Sequence, residues 1–259
     1  MGRPLALVTG ASAGLGDRYA RSLAERGHDL VIAARREERL RALAGEVEAS
    51  FGASATVVPA DLASEAGRRA CREAVDAAGR PLAVAVLNAG FGSRGALHRL
   101  PREREVEMVQ LNCTAVVDLA RHVLPPMVEA GAGALVVVSS ASAWQPLPYM
   151  ATYAASKAFE LSFADAVGEE LRGTGVRVVA VLPGPTRTEF STASDSTPSV
   201  PQWLIPTSEP EEVVAATWQA LERGRRHASV GPLARLAATL PRVVPRPATL
   251  RGAGLTGRD

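Results

Sequence analysis

The chain has 259 residues, 47% of them hydrophobic, and carries 29 Lys and Arg against 27 Asp and Glu for a formal charge of +2. This balance excludes a disordered chain and argues against a nucleic-acid-binding protein, and at about 150 residues per domain the length allows one large α/β domain that needs no staple. The two cysteines match no zinc spacing, no apolar run approaches about 18 residues, and the first residues form neither a signal peptide nor a myristoylation site, so a soluble cytoplasmic protein without bound metal or integral membrane segment is expected.

Apolar runs rich in Val, Leu and Ala predict strands over residues 5–9, 29–34, 55–59, 82–88, 134–140, 176–182 and 227–230. Amphipathic stretches predict helices over 14–27, 36–50, 64–78, 101–130, 152–172 and 209–223, with Pro101 in a first turn and Pro125-Pro126 bending or ending the fourth. Near-continuous apolarity within each strand indicates burial on both faces, and the alternation of strand and helix gives a doubly wound α/β fold. No repeat or linker divides the chain, so residues 1–259 read as a single domain with a core over about 5–230. Residues 191–208 hold Pro198, Pro201 and Pro206 without periodicity and read as a lid loop. Beyond 231, Leu233, Leu236, Leu240 and Val244 recur at helical spacing, but Pro232, Pro241, Pro245 and Pro247 interrupt them. The tail 231–259 therefore reads as a short amphipathic piece packed on the body or on a second subunit rather than on a membrane, with a frayed end.

The first strand runs into Thr9-Gly-Ala-Ser-Ala-Gly-Leu-Gly16. Gly10, Gly14 and Gly16 let the backbone turn tightly and approach a ligand, and the free N–H groups of the helix start favour an anion, so a diphosphate fits. The same octet contains Gly10-x-Ser12-x-Gly14, the nucleophile-elbow pattern of hydrolases, and Asp195 and His227 would complete a triad in the right order. An elbow takes its oxyanion loop from an earlier strand and helix, and the few residues before Gly10 cannot supply one, which favours the dinucleotide.

Tyr153-Ala-Ala-Ser-Lys157 opens the helix after the fifth strand, and residues four apart share a helix face. A phenol of pKa about 10 is a poor base at neutral pH, but a neighbouring cation favours the phenolate, which can then exchange a proton with a carbonyl or alcohol oxygen. Composition strengthens the pairing. Lys157 is the single lysine among 29 basic residues, so a generic surface cation here would be Arg. A compact ammonium at this point does what a guanidinium would not.

Together with Asp61-Leu62 after the third strand, Asn88-Ala-Gly90 after the fourth, Asn112, Ser140, and Pro183-Gly-Pro-Thr-Arg-Thr188 after the sixth, these pieces resemble the short-chain dehydrogenase/reductase family in its compact single-domain branch. The resemblance implies a Rossmann-type doubly wound sheet of about seven parallel strands, with helices on both faces, binding NAD(H) or NADP(H). It implies Tyr153 as the acid/base, Lys157 as the residue that lowers its pKa and holds the nicotinamide ribose, Ser140 bonded to the substrate oxygen, and Asn112 supporting a water-linked proton path. Ser140 is chosen over Ser139 and Ser142 by its spacing from Tyr153. Cofactor contacts would come from Gly10, Ser12, Gly14, Leu15, Gly16, Asp61, Leu62, Asn88, Gly90, Tyr153, Lys157, Pro183, Gly184, Thr186 and Thr188.

Ala34 stands where a ribose-binding carboxylate would end the second strand, and Arg35 and Arg36 follow, so NADPH is expected over NADH, with Arg35 at the 2′-phosphate. Phe91, Trp144, Tyr149, Phe190 and Trp203 fall in loops after strands, suggesting an apolar substrate pocket. The expected function is an NADP(H)-dependent oxidoreductase interconverting a carbonyl and an alcohol on a fairly apolar small molecule, working as a homodimer or homotetramer. Alternatives are a dehydratase or epimerase of the same family, a catalytically idle dinucleotide-binding regulator, and a hydrolase using Ser12.

Overall fold

The computed structural model describes residues 2–188, 207–231 and 246–257. Each apolar run of the sequence is a strand: β1 (Leu5–Thr9), β2 (Asp29–Ala34), β3 (Ala55–Pro59), β4 (Leu82–Leu87), β5 (Gly133–Val138), β6 (Val176–Pro183) and β7 (His227–Val230). Between them lie α1 (Gly14–Glu25), α2 (Glu37–Phe51), α3 (Glu65–Ala77), α4 (Arg102–Val109), α5 (Ala115–Glu129), α6 (Ala151–Glu170) and α7 (Pro210–Glu222), and α8 (Arg246–Gly257) follows β7. Every connection carries a helix that returns the chain to the same end of the sheet, so all neighbouring strands are parallel, in the order β3-β2-β1-β4-β5-β6-β7.

Alternate side chains of each strand point to opposite faces, and both faces are covered. Leu5, Leu7, Leu135 and Val137 pack with Cys71, Leu119 and Leu161 of α3, α5 and α6. Ala6, Val8, Val136 and Val138 pack on the other side with Tyr19, Leu23, Leu40 and Trp218 of α1, α2 and α7. Leu7, Ile32, Leu40 and Leu135 are wholly buried, each contributing about 1.5–3 kcal/mol of transfer free energy. The sheet order reverses between β1 and β4, which opens a crevice beyond the carboxyl ends of the strands.

Two local expectations are corrected. The helix expected over 101–130 is two helices joined by a π-helical turn, Gln110–Thr114, in which the N–H of Ala115 bonds to the carbonyl of Gln110. This wide turn inserts an extra residue, a device that hydrophobic spacing does not reveal. α5 runs through Pro125 and Pro126 to Glu129, because the prolines fall where few hydrogen bonds remain to be lost and Pro126 still accepts from Ala130. Within the tail, read from sequence as a short amphipathic piece with a frayed end, α8 forms over Arg246–Gly257. Leu233, Leu236, Leu240 and Val244, and residues 191–206 of the expected lid, lie outside the described residues.

Candidate active site

The crevice is built on a clamp between the tips of β1 and β4. Thr9 Oγ1 accepts from the backbone N–H of Asn88 (2.9 Å) and of Ala89 (3.0 Å), and Asn88 Nδ2 donates to the carbonyl of Thr9 (3.0 Å). The turn that follows leaves no room for a side chain at Gly10 or Gly16. A Cβ on Gly16 would lie 2.2 Å from the Gly10 carbonyl oxygen, and one on Gly10, itself at φ +68°, would lie 2.8 Å from Asn88 Nδ2. α1 then begins after Ala13, which offers no side chain to cap it, so its first N–H groups remain open to an anion. This cradle fits the diphosphate of a dinucleotide.

The other cofactor candidates rim the same crevice. Thr188 lies over Gly14, whose Cβ would stand 3.1 Å from that of Thr188. Thr186 forms a parallel bridge to Ser208, which ties together the chain on either side of residues 189–206. Gly184 bonds to Val230, and Pro183 ends β6. Asp61 is exposed and accepts from the N–H of Ala63 at 3.1 Å, Leu62 is buried, and Leu15 packs on the core. At the end of β2, Arg36 reaches back to Ser12, donating to its Oγ at 3.1 Å and its carbonyl at 3.3 Å. Arg35 instead pairs with Glu107 of α4 at 3.1 Å.

Tyr153 and Lys157 stand one turn apart on α6, with Nζ 5.9 Å from the centroid of the phenol ring. Ser139 Oγ donates to the Lys157 carbonyl at 2.7 Å, docking α6 against the end of β5. Ser140 lies in the next turn, half-buried, its Oγ accepting from the Ser142 N–H at 3.1 Å and keeping its own proton to donate. Ser142 Oγ and Gln145 Oε1 are buried on the same turn without hydrogen-bond partners. The π turn aims Asn112 inward, where it is fully buried and donates to Phe91 O (3.0 Å) and Ser156 Oγ (2.9 Å). Gly90 separates Asn112 from the lysine: a Cβ there would lie 3.0 Å from Asn112 Oδ1 and 3.4 Å from Lys157 Nζ.

Glu160 escaped the sequence reading. Lys157 Nζ donates to both of its carboxylate oxygens, at 3.0 and 2.9 Å, and to Val138 O at 2.9 Å. Burial pushes the Glu160 carboxyl up to about 7 even against the pull of the ammonium. Burial opposes the charge on Lys157, yet the Glu160 carboxylate and Tyr153 together hold it above its ordinary value. The signal was present in the spacing, since Tyr153, Lys157, Glu160 and Ala164 form one buried stripe in which a carboxylate is out of place.

Of the aromatic residues, Phe91 packs with Met108 and Tyr153, and the guanidinium of Arg104 covers its ring at 4.9 Å. Trp144 lies edge-on to His227 at 5.7 Å and packs on the core beside α6. Tyr149 has φ +66°, the sole left-handed residue other than glycine among those described, and the Gly95 N–H bonds to its carbonyl at 2.8 Å. Such a backbone costs about 1–3 kcal/mol and tends to gather at functional sites. Phe190, Trp203 and Asp195 lie outside the described residues. Tyr19, by contrast, is a core residue whose OH bonds Thr217 at 2.6 Å. His227 bonds Asp165 and opens β7, four strands from β1 and so about 19 Å across the sheet from Ser12, which no triad spans.

Comparison with known proteins agrees with this geometry. The profile of the family described as short chain dehydrogenase matches residues 4–199. An uncharacterized oxidoreductase of Myxococcus xanthus (strain DK1622) is 40% identical over 193 residues, covering 73% of this chain and 75% of that protein. A short-chain dehydrogenase from Sphingobium yanoikuyae, solved in complex with NADPH, superposes with a TM-score of 0.81 at 33% identity, over 96% of this chain and 93% of that one. The bulky-bulky ketone specific alcohol dehydrogenase from Comamonas testosteroni gives a TM-score of 0.77 at 29% identity, over 88% and 86%.

Proposed function

This chain belongs to the short-chain dehydrogenase family and is an NAD(P)-dependent oxidoreductase, and within that class we propose that it interconverts a carbonyl and an alcohol on a fairly apolar small molecule, using NADP(H). The observation that carries the reading is the buried Tyr153 and Lys157 pair on α6, with the Ser140 hydroxyl on the neighbouring turn. In the reducing direction Tyr153 gives its phenolic proton to the carbonyl oxygen while Ser140 donates a hydrogen bond to the same atom, and in the oxidising direction Tyr153 takes that proton back. Lys157 sets its ammonium beside the phenol ring and would hold the ribose hydroxyls, and Asn112 would support the water path by which the proton is replaced. The dinucleotide, when bound, supplies or accepts the hydride. An apolar part of the substrate would lie beside Tyr153, against which Phe91 packs, and the unpartnered Ser142 Oγ and Gln145 Oε1 would receive a polar group on the substrate.

The cofactor preference rests on Ala34, Arg35 and Arg36. With no carboxylate to take the ribose diol, and with Arg36 already seated on Ser12 of the glycine-rich turn, the 2′-phosphate would meet Arg36 first and Arg35 once it leaves Glu107. NADPH is expected to bind at least about tenfold tighter than NADH, or about 1.4 kcal/mol. Nicotinamide fluorescence titrations check this: equal dissociation constants, or a preference surviving Arg35→Ala and Arg36→Ala together, would contradict it. The enzyme is further read as a cytoplasmic homodimer or homotetramer. Turnover of NADPH across a library of carbonyl compounds tests the function itself, and dinucleotide binding without turnover of any of them would leave a regulator instead.

A further inference from the structure

The Lys157 ammonium is gripped. Its three N–H groups are committed to Val138 O and to the two oxygens of Glu160, all at 2.9–3.0 Å. Lys157 and Glu160 are 4% and 1% exposed, so neither charge reaches water. An exposed pair three residues apart would be a surface salt bridge of little consequence, whereas a buried one is neither screened nor free to exchange partners. The lysine so held is the same one on which the reductase reading places the phenolate and the ribose contacts.

We propose that Glu160 is a positioning residue of this reductase site: its carboxylate anchors the Lys157 ammonium at the end of β5 and sets how much of the positive charge acts on Tyr153 and on a bound dinucleotide. The inference rests on the function proposed above. A carboxylate touching the ammonium cancels part of its field at the phenol, whose ring centroid is 5.9 Å from Nζ. It also competes with the ribose hydroxyls for the lysine's protons, so engagement of the cofactor requires the grip to loosen. The other titratable groups facing the pair are Tyr153 on α6 and Cys113 from the π turn. Burial first, and then the Glu160 charge, pushes the Cys113 thiol up to about 11, which places the carboxylate's field on that side as well. Because Glu160 itself sits at about 7, its charge is a variable at neutral pH and not a constant.

The test is the pH profile of NADPH-dependent turnover in the full-length enzyme and in Glu160→Gln and Glu160→Asp. Gln keeps the shape and removes the charge, so the ionisation that the rate reports is expected about one pH unit lower than in the wild type, while Asp, which keeps the charge, stays near the wild-type profile. If the Gln variant fails to fold, Glu160→Met, similar in volume and without polar atoms, is expected to shift the profile in the same direction. A fall in melting temperature with an unmoved pH profile would make Glu160 merely structural and overturn the proposal. Tyr153→Phe, measured alongside, separates the two readings. Wild-type turnover in that variant removes the reductase mechanism itself, whereas an inactive Tyr153→Phe with an unshifted Glu160→Gln removes only the role given to Glu160.

Discussion

A buried phenol beside a buried ammonium can be tested one atom at a time. Tyr153→Phe keeps the ring against Phe91 and Met108 and removes only the ionisable hydroxyl, so turnover is expected to fall by about 10² or more with NADPH binding and melting temperature nearly unchanged. Lys157→Arg keeps a cation but brings a planar fork into a space that holds one nitrogen between Val138 O and Glu160. Lower turnover and weaker cofactor binding are expected, and a silent substitution, in a chain that uses arginine at every other basic position, would return Lys157 to the status of a structural charge. Stability should carry the mark of Glu160 as well. Its carboxyl ionises near 4.5 in the unfolded chain and near 7 in the folded one, so between those values the folded state holds a proton that the unfolded state has lost. Stability from this group therefore falls as pH rises from about 4.5 to about 7 and levels off above, whereas Lys157, raised when folded, contributes stability present below 10.5 and lost as pH passes its folded value. Denaturant melts over pH 4.5–7 check the sign: Glu160→Gln is expected to be less pH-dependent than the wild type in that window, and identical slopes would count against it.

At the scale of the elements, the site depends on how strand ends are tied and on where a helix departs from regular winding. Thr9 Oγ1 takes two backbone N–H groups that the end of β4 would otherwise leave without a partner. Thr9→Val, equal in shape, is expected to destabilise the protein by about 2–4 kcal/mol in chemical denaturation and to weaken dinucleotide binding, because the glycine-rich turn and Asn88 are positioned by the same clamp. A loss below about 0.5 kcal/mol would mean that water replaces the hydroxyl. The π turn at Gln110–Thr114 works in a similar way, using one extra residue to bring Asn112 inside, where its amide joins the loop after β4 to Ser156 of α6. The strand runs, the helix stripes and the Gly10, Gly14 and Gly16 spacing could all be read in the chain, since each is a local periodicity or a local conformational demand. The π turn could not, because regular and wide helical turns share almost the same hydrophobic pattern over eight residues.

At the scale of the whole molecule, large apolar side chains stand exposed among the described residues. α4, α5 and α6 expose Val106 (49%), Val109, Val117 and Phe159, the last stacked on Phe163 at 6.0 Å. These exposed side chains are expected to be covered by a second copy, in keeping with the proposed homo-oligomer. Phe159→Glu is expected to shift the sedimentation coefficient toward that of a 27.1 kDa monomer, and a wild-type protein that sediments as a monomer at every concentration would contradict the assignment.

The sequence by itself determined the doubly wound architecture, the glycine-rich turn, and the pairing of Tyr153 with the chain's single lysine. These follow from spacings of a few residues, which the local geometry of strands and helices converts directly into facing side chains. Tertiary structure decided which arginine sits on the turn, Arg36 on Ser12 with Arg35 drawn to Glu107, because that choice depends on where α4 lies relative to β2. It also decided that Trp144 packs toward His227 and that Glu160 is sealed from water. A carboxylate three residues after a lysine reads from sequence as an ordinary surface pair, and only the packing of α6 against β5 and the π turn removes the water that would have made it one.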